Sequence, residues 1–217
     1  MITLLDVSFA LPERDPPEIL FDSVSAHFGP FERVGILALP GSGKTVLARL
    51  LTGILPPDSG QVLHEGKVSW PMGFAGAMHT ELTVRENLSI LCRATGQDVL
   101  ETTLICATLG GLERQLDHQL KALRPKDRRA LAFCLSLASI NDMYIADEAL
   151  IFGEGAQKSA AEQLLEERLE VAGLILISQN VKLLKKHCDR FLVLRERRLR
   201  ACYDLDDAAN DLLRRRN

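Results

Sequence analysis

The chain has 217 residues, 47% of them hydrophobic and 25% charged, enough to bury one full core and to carry an inserted subdomain. Its formal net charge of −3 excludes the strong basic field on which nucleic-acid binding rests, and the local basic clusters at 195–200 and 214–216 read as solvated edges. Five cysteines, Cys92, Cys106, Cys134, Cys188 and Cys202, contain no Cys-x-x-Cys pair, which argues against a zinc site and a disulfide framework and fits a reducing compartment. No basic region precedes the first apolar residues, and the longest apolar stretch, 130–140, is too short to span a bilayer. A membrane role therefore calls for a separate partner chain.

Alternation predicts a strand over 2–9, a polar Pro-rich turn over 12–17, a returning strand over 19–28 and an apolar strand over 33–39. Directly on Val34, Gly35, Ile36 and Leu37 follow Ala38, Leu39, Pro40, Gly41, Ser42, Gly43, Lys44 and Thr45, a phosphate-binding loop with Ala in place of its usual first Gly. A Gly-rich turn between strand and helix lets successive backbone N–H groups converge on a β-phosphate, and the helix adds its positive dipole end. Lys44 is placed to reach β- and γ-phosphate oxygens and the Thr45 hydroxyl to ligate Mg²⁺; the nucleotide-contacting stretch runs from Ala38 through Val46.

A helix over 45–51 leads to the turn Pro56, Pro57, Asp58, Ser59, Gly60 and to short strands at 61–64 and 67–70. From 84 to about 137 the apolar spacing turns helical. Thr83 is the expected N-cap with Glu86 completing a capping box, and Gly96 and Gly110-Gly111 divide the block into short helices. Strands return at 143–146 and 174–177, and helices are expected at 157–171 and 182–187. The result is an α/β class chain: one domain over 1–217 with a parallel core and a helical subdomain inserted at 83–138.

The apolar strand Met143, Tyr144, Ile145, Ala146 ends in two carboxylates. Asp147 would reach the Mg²⁺ shell of a bound nucleotide, and Glu148 just beyond it is placed to polarise an attacking water.

This order of phosphate loop, helical block, Asp-Glu strand and the 174–178 strand resembles the nucleotide-binding subunit of ABC transporters over nearly the whole chain. More narrowly, Ser69, Trp70, Pro71, Met72, Gly73 with Leu82, Thr83, Val84, Arg85, Glu86, Asn87 is similar to the capsular-polysaccharide exporter ATPases, which carry Ser-Trp-Pro-x-Gly and Leu-Thr-Gly-Arg-Glu-Asn there. Leu131, Ala132, Phe133 and His187, Cys188, Asp189, Arg190 fit the same subfamily. The resemblance implies a P-loop NTPase with a RecA-like core, an antiparallel β subdomain and the helical insert. It also implies ATP and Mg²⁺ as ligands and hydrolysis with Lys44, Glu148 and Gln179 as catalytic groups and Thr45 and Asp147 as metal ligands. The implied partners are a second ATPase subunit, identical or different, and a polysaccharide-exporting permease at the cytoplasmic face of the bacterial inner membrane.

The chain departs from that family at several positions. Where a Leu-Ser-Gly-Gly-Gln-like signature is usual it has Leu123, Arg124, Pro125, Lys126, Asp127. Two readings stand: Arg124 or Lys126 contacts a γ-phosphate as a point charge, or the segment is a solvated basic turn. Ser178-Gln179 replaces the switch His, and glutamine can position groups but cannot carry a proton charge. Leu11 stands where an aromatic commonly stacks on adenine, with Phe9 as a replacement or a core residue. His79 is expected at a permease-contact or surface position, and Ile151, Phe152, Gly153, Glu154 resemble a dimer-contact segment. Those changes leave a second reading open, a nucleotide-gated assembly module with little or no turnover; a small-molecule kinase would want an acceptor site and an Arg-rich lid.

Overall fold

A computed structural model describes residues 1–12 and 16–214, so the centre of the predicted 12–17 turn and the 215–216 part of the basic C-terminal cluster lie outside the described residues. The chain separates into two compact units.

The first comprises Met1–Pro71, Asn141–Leu150 and the chain from Val171 onward. It opens with β1 (Ile2–Leu11) and β2 (Glu18–Phe28), an antiparallel pair to which β4 (Ser59–His64) adds along the other edge of β1, in the order β2-β1-β4. β1 runs two residues beyond the predicted strand and is interrupted by register shifts between Leu4 and Val7, where Asp6 takes a left-handed φ of 48°. The second sheet has the order β5-β6-β7-β3-β8-β9. Its strands are β3 (Arg33–Leu37), β5 (Val68–Pro71), β6 (Met143–Asp147), β7 (Gly173–Ser178), β8 (Arg190–Arg195) and β9 (Arg198–Cys202); all pairings are parallel except β8 with β9.

β7 is buried at every residue and β6 at all but its last, as expected of central parallel strands covered on both faces. One apolar cluster joins the two sheets through Ile2, Phe21, Phe28, Ile36, Leu50, Ile145 and Ile175, with α1 (Lys44–Leu51) contributing Leu47, Ala48, Leu50 and Leu51. α6 (Val181–His187) and α7 (Leu205–Arg214) complete this unit.

The basic run at 195–200 lies in the β8–β9 hairpin, and three of its arginines are paired. Arg200 meets Glu196 at 2.8 Å, Arg198 approaches Asp22 at 3.7 Å, and Arg195 is bonded to Asp211. Charged side chains on an edge strand also discourage pairing with another chain.

The second unit, Met72–Ile140 with Ile151–Glu170, is helical. It holds α2 (Val84–Thr95), α3 (Val99–Gly110), a 3₁₀ turn at Leu120–Ala122, α4 (Pro125–Ala138) and α5 (Gly155–Leu169). The punctuation read from the sequence is visible as caps: Gly96 and Gly111 end α2 and α3 with φ of 70° and 63°. The Thr83–Glu86 capping box is formed in both directions. Asn87, buried in the first turn of α2, accepts from the His79 N–H at 2.7 Å and donates to the carbonyls of His79, Leu82 and Thr83, which fixes the segment entering α2. Phe133 on α4 stacks on Phe152 with ring centroids 5.7 Å apart.

Candidate nucleotide site

Three neighbouring parallel strands end side by side. β7 lies between β6 and β3, with Leu37 paired to Ser178 and Ile177 to Asp147. Loops leaving the carboxyl ends of adjacent parallel strands converge, which is where α/β sheets bind ligands. Here the converging segments are the 38–43 loop, the Asp147-Glu148 step and Ser178-Gln179.

Ala38 is fully buried, and its N–H is held by the Ser178 carbonyl at 3.1 Å. The chain then turns through Gly41 (φ 81°) and Gly43 (φ 90°), conformations that a side-chain-bearing residue reaches only with strain. A Cβ on Gly43 would also lie 3.2 Å from both Leu20 and Phe21. The Ser42 hydroxyl donates to the Leu39 carbonyl at 2.7 Å, tightening the loop, while Pro40 and Gly41 are exposed at its crest and Val46 is half-buried in the helix behind it. Gly43 is the N-cap of α1 and supplies no capping side chain, so the first N–H groups of the helix face the loop without an intrahelical partner.

Thr45 Oγ1 donates to Asp147 Oδ2 at 2.6 Å, while Asp147 Oδ1 is buried and has no hydrogen-bond partner among the described residues. An orphaned carboxylate oxygen beside a hydroxyl at a helix start is a hard-oxygen donor set that fits Mg²⁺. Lys44 Nζ is ion-paired with Glu148 Oε1. The other carboxylate oxygen, Oε2, accepts from the Ser178 hydroxyl at 2.7 Å and from the Gln179 N–H at 3.4 Å. Glu148 itself sits at φ 66°, a left-handed conformation that a non-glycine residue holds only when its surroundings insist; its N–H is bonded to the Ile177 carbonyl at 2.8 Å. Partial burial pushes the Glu148 carboxyl up, but the Lys44 and Ser178 hydrogen bonds, the Lys44 charge and the Gln179 N–H outweigh it, leaving the group below the ordinary range and ionised.

Thus Lys44, Thr45, Asp147 and Glu148 meet around one point of the loop. Gln179 is exposed and reaches Glu148 through its backbone N–H. Ser178, named in the sequence only as part of the switch position with the role given to Gln179, bonds Glu148 directly; the signal available was a hydroxyl at the end of an apolar strand, and only the strand order makes it a neighbour of Glu148. Phe9 is 8% exposed and packed into the core cluster, so the core reading of that residue holds.

In the helical unit, Arg124 caps α4 without a side-chain cap bond, and its guanidinium binds Asp127 at 2.8 and 3.2 Å. Pro125 occupies the first turn, where its missing N–H costs nothing, and Lys126 is exposed. His79 is exposed, its Nδ1 accepting from the Glu81 N–H at 3.2 Å.

Fold and site together define a nucleotide-binding protein of the P-loop class. Residues 21–151 match the family model described as ABC transporter, and the chain belongs to that family as an ATPase subunit. It is 29% identical to the capsule polysaccharide export ATP-binding protein CtrD of Neisseria meningitidis over 96% of each chain. It is 32% identical to the ATP-binding protein BexA of Haemophilus influenzae over 82% of each. Among solved structures, the ATP-binding cassette MJ0796 in a dimeric post-hydrolysis state with ADP and Pi superposes with a TM-score of 0.75 at 17% identity, covering 92% of this chain and 96% of that one. At that identity the likeness speaks for the fold.

Proposed function

We propose that the chain binds ATP with Mg²⁺ in the site at the ends of β3, β6 and β7 and hydrolyses it to power export of a cell-surface polysaccharide through a membrane permease. The observation that carries this reading is the convergence of Lys44, Thr45, Asp147 and Glu148 at the phosphate loop. The loop N–H groups and the start of α1 bind the phosphates, and Lys44 exchanges Glu148 for phosphate oxygens. Thr45 and Asp147 would hold Mg²⁺, which supplies charge neutralisation for the phosphates. Glu148 takes the proton of a water whose oxygen attacks the γ-phosphorus; the bond to the bridging oxygen breaks and ADP leaves. Gln179, next to Glu148, assists through its backbone N–H and a side chain free to turn toward the γ-phosphate.

The names of the capsule-export relatives support polysaccharide as cargo. The same reading gives a permease and a second ATPase subunit, identical or different, as partners. It gives the cytoplasmic face of a bacterial inner membrane as location and the 83–138 block as the inserted helical subdomain of a single domain. Among the described residues no helix is long and apolar enough to cross a membrane, so the translocation path falls to the partner.

A second reading, nucleotide-gated assembly with little turnover, is favoured by Arg124, Pro125 and Asp127, where bulk, a missing N–H and an internal ion pair replace a small hydroxyl and close-approaching glycines. Steady-state ATPase activity of the protein with its permease, wild type against Glu148→Gln, separates the two. Equal rates near background remove the hydrolase reading.

A further inference from the structure

We propose that Ser178 is the positioning residue for Glu148, holding its carboxylate in place once Lys44 has turned to the nucleotide; this rests on the reading of Glu148 as the group that activates water. Among the described residues the Glu148 carboxylate has three holds, and they differ in kind. Lys44 grips Oε1, but its ammonium is the group a phosphate would draw away. The Gln179 N–H reaches Oε2 at 3.4 Å, a long contact. The Ser178 hydroxyl, at 2.7 Å from Oε2, is a short bond from a group that phosphate has no charge to draw away.

The direction of that bond is fixed by its surroundings. An ionised carboxylate only accepts, so the hydroxyl proton points at Glu148. The Ser178 oxygen in turn accepts from the Asn180 N–H at 3.0 Å, which occupies a lone pair and keeps the proton aimed away from that side. Asn180 is itself anchored as the N-cap of α6, its side chain accepting from the Leu183 N–H at 3.1 Å. Ser178 cannot wander: it is 0% exposed, its backbone is paired with Leu37 of β3, and its carbonyl holds the first residue of the phosphate loop. The hydroxyl therefore references Glu148 to the same strand that positions the loop. This matters because Glu148 sits in a left-handed conformation with no helix or strand of its own to orient the side chain.

The test uses the full chain with its permease and compares steady-state kcat, KM for ATP and thermal midpoint for Ser178→Ala, Ser178→Thr and Glu148→Gln. A hydrogen bond to a charged group is worth roughly a tenfold factor or more, so Ser178→Ala is expected to lower kcat about tenfold with KM and midpoint nearly unchanged. Threonine keeps the hydroxyl and suits a strand position, so Ser178→Thr is expected to restore most of the rate. An unchanged kcat in Ser178→Ala, a KM that rises in step with the loss, or a loss that threonine does not restore overturns the proposal. If Glu148→Gln abolishes turnover while Ser178→Ala leaves kcat unchanged, only the role of Ser178 falls; if Glu148→Gln turns over like wild type, the reading of Glu148 falls and this one with it.

Discussion

Lys44 and Glu148 are ion-paired, so the cation expected to grip phosphate is engaged by the carboxylate expected to activate water. Phosphate and Glu148 thus compete for one ammonium. Glu148→Gln removes the charged competitor, and ATP affinity should rise modestly, about two- to fivefold, while hydrolysis falls by on the order of a hundredfold or more. Equilibrium titration with a fluorescent ATP analogue and a phosphate-release assay read the two effects. Weaker binding in the variant would contradict the competition.

Thr45 and Asp147 face each other through one short hydrogen bond, and the remaining Asp147 oxygen is buried without a partner among the described residues. That orphan should be satisfied by a divalent cation arriving with nucleotide. Asp147→Asn is expected to weaken ATP binding in Mg²⁺ buffer about tenfold while leaving binding in EDTA unchanged. A loss of the same size in both buffers would mean that Asp147 acts on the loop rather than through the metal.

The parts of this site legible in the sequence were those whose chemistry is local. Gly41 and Gly43 announce a turn with positive φ, Lys44 and Thr45 follow at a helix start, and Asp147 and Glu148 end an apolar strand; each of these is written in consecutive residues. The Thr83–Glu86 box and the glycine caps of α2 and α3 were legible for the same reason. Relations across the sheet were not. Nothing in consecutive residues says that β7 lies between β3 and β6, yet that order is what sets Ser178 against Glu148 and lets Lys44 reach it. The β8–β9 hairpin was missed because its arginines read as a solvated charge run. Arg200 pairs within the hairpin with Glu196, but the pairing of Arg198 with Asp22 and of Arg195 with Asp211 comes from tertiary proximity, and Asp22 is remote in the chain.

Gly60 opens a stability prediction. It has φ 82°, and a Cβ there would lie 2.3 Å from the Asp6 carbonyl oxygen and 2.4 Å from that of Leu5, both backbone atoms of the neighbouring strand β1. The register of β1 with β4 shifts between Leu5 and Ser8 at this point, so the close approach belongs to a bulge. Gly60→Ala must displace the strand and is expected to destabilise the protein by about 2–4 kcal/mol. Urea unfolding measures it; a change below about 0.5 kcal/mol would mean the strands separate without penalty.

The capping box of α2 gives a pH dependence whose sign follows from its geometry. The Glu86 carboxylate accepts from the Thr83 N–H at 2.8 Å and from the Thr83 hydroxyl at 2.9 Å, while the Glu86 N–H donates back to that hydroxyl oxygen at 3.1 Å. The Thr83 backbone bond, and then its hydroxyl, hold the Glu86 carboxyl below the ordinary glutamate value. A depressed folded-state value means that the unfolded chain binds the proton more readily. The contribution is therefore complete above the unfolded value, about pH 4.3, and is lost as pH falls through the folded one. Glu86→Gln keeps an acceptor but not the charge, so wild type should exceed the variant in urea-unfolding free energy at pH 7, with the gap closing toward pH 3. A gap of constant size across that range would show that Glu86 stabilises the helix start without its charge.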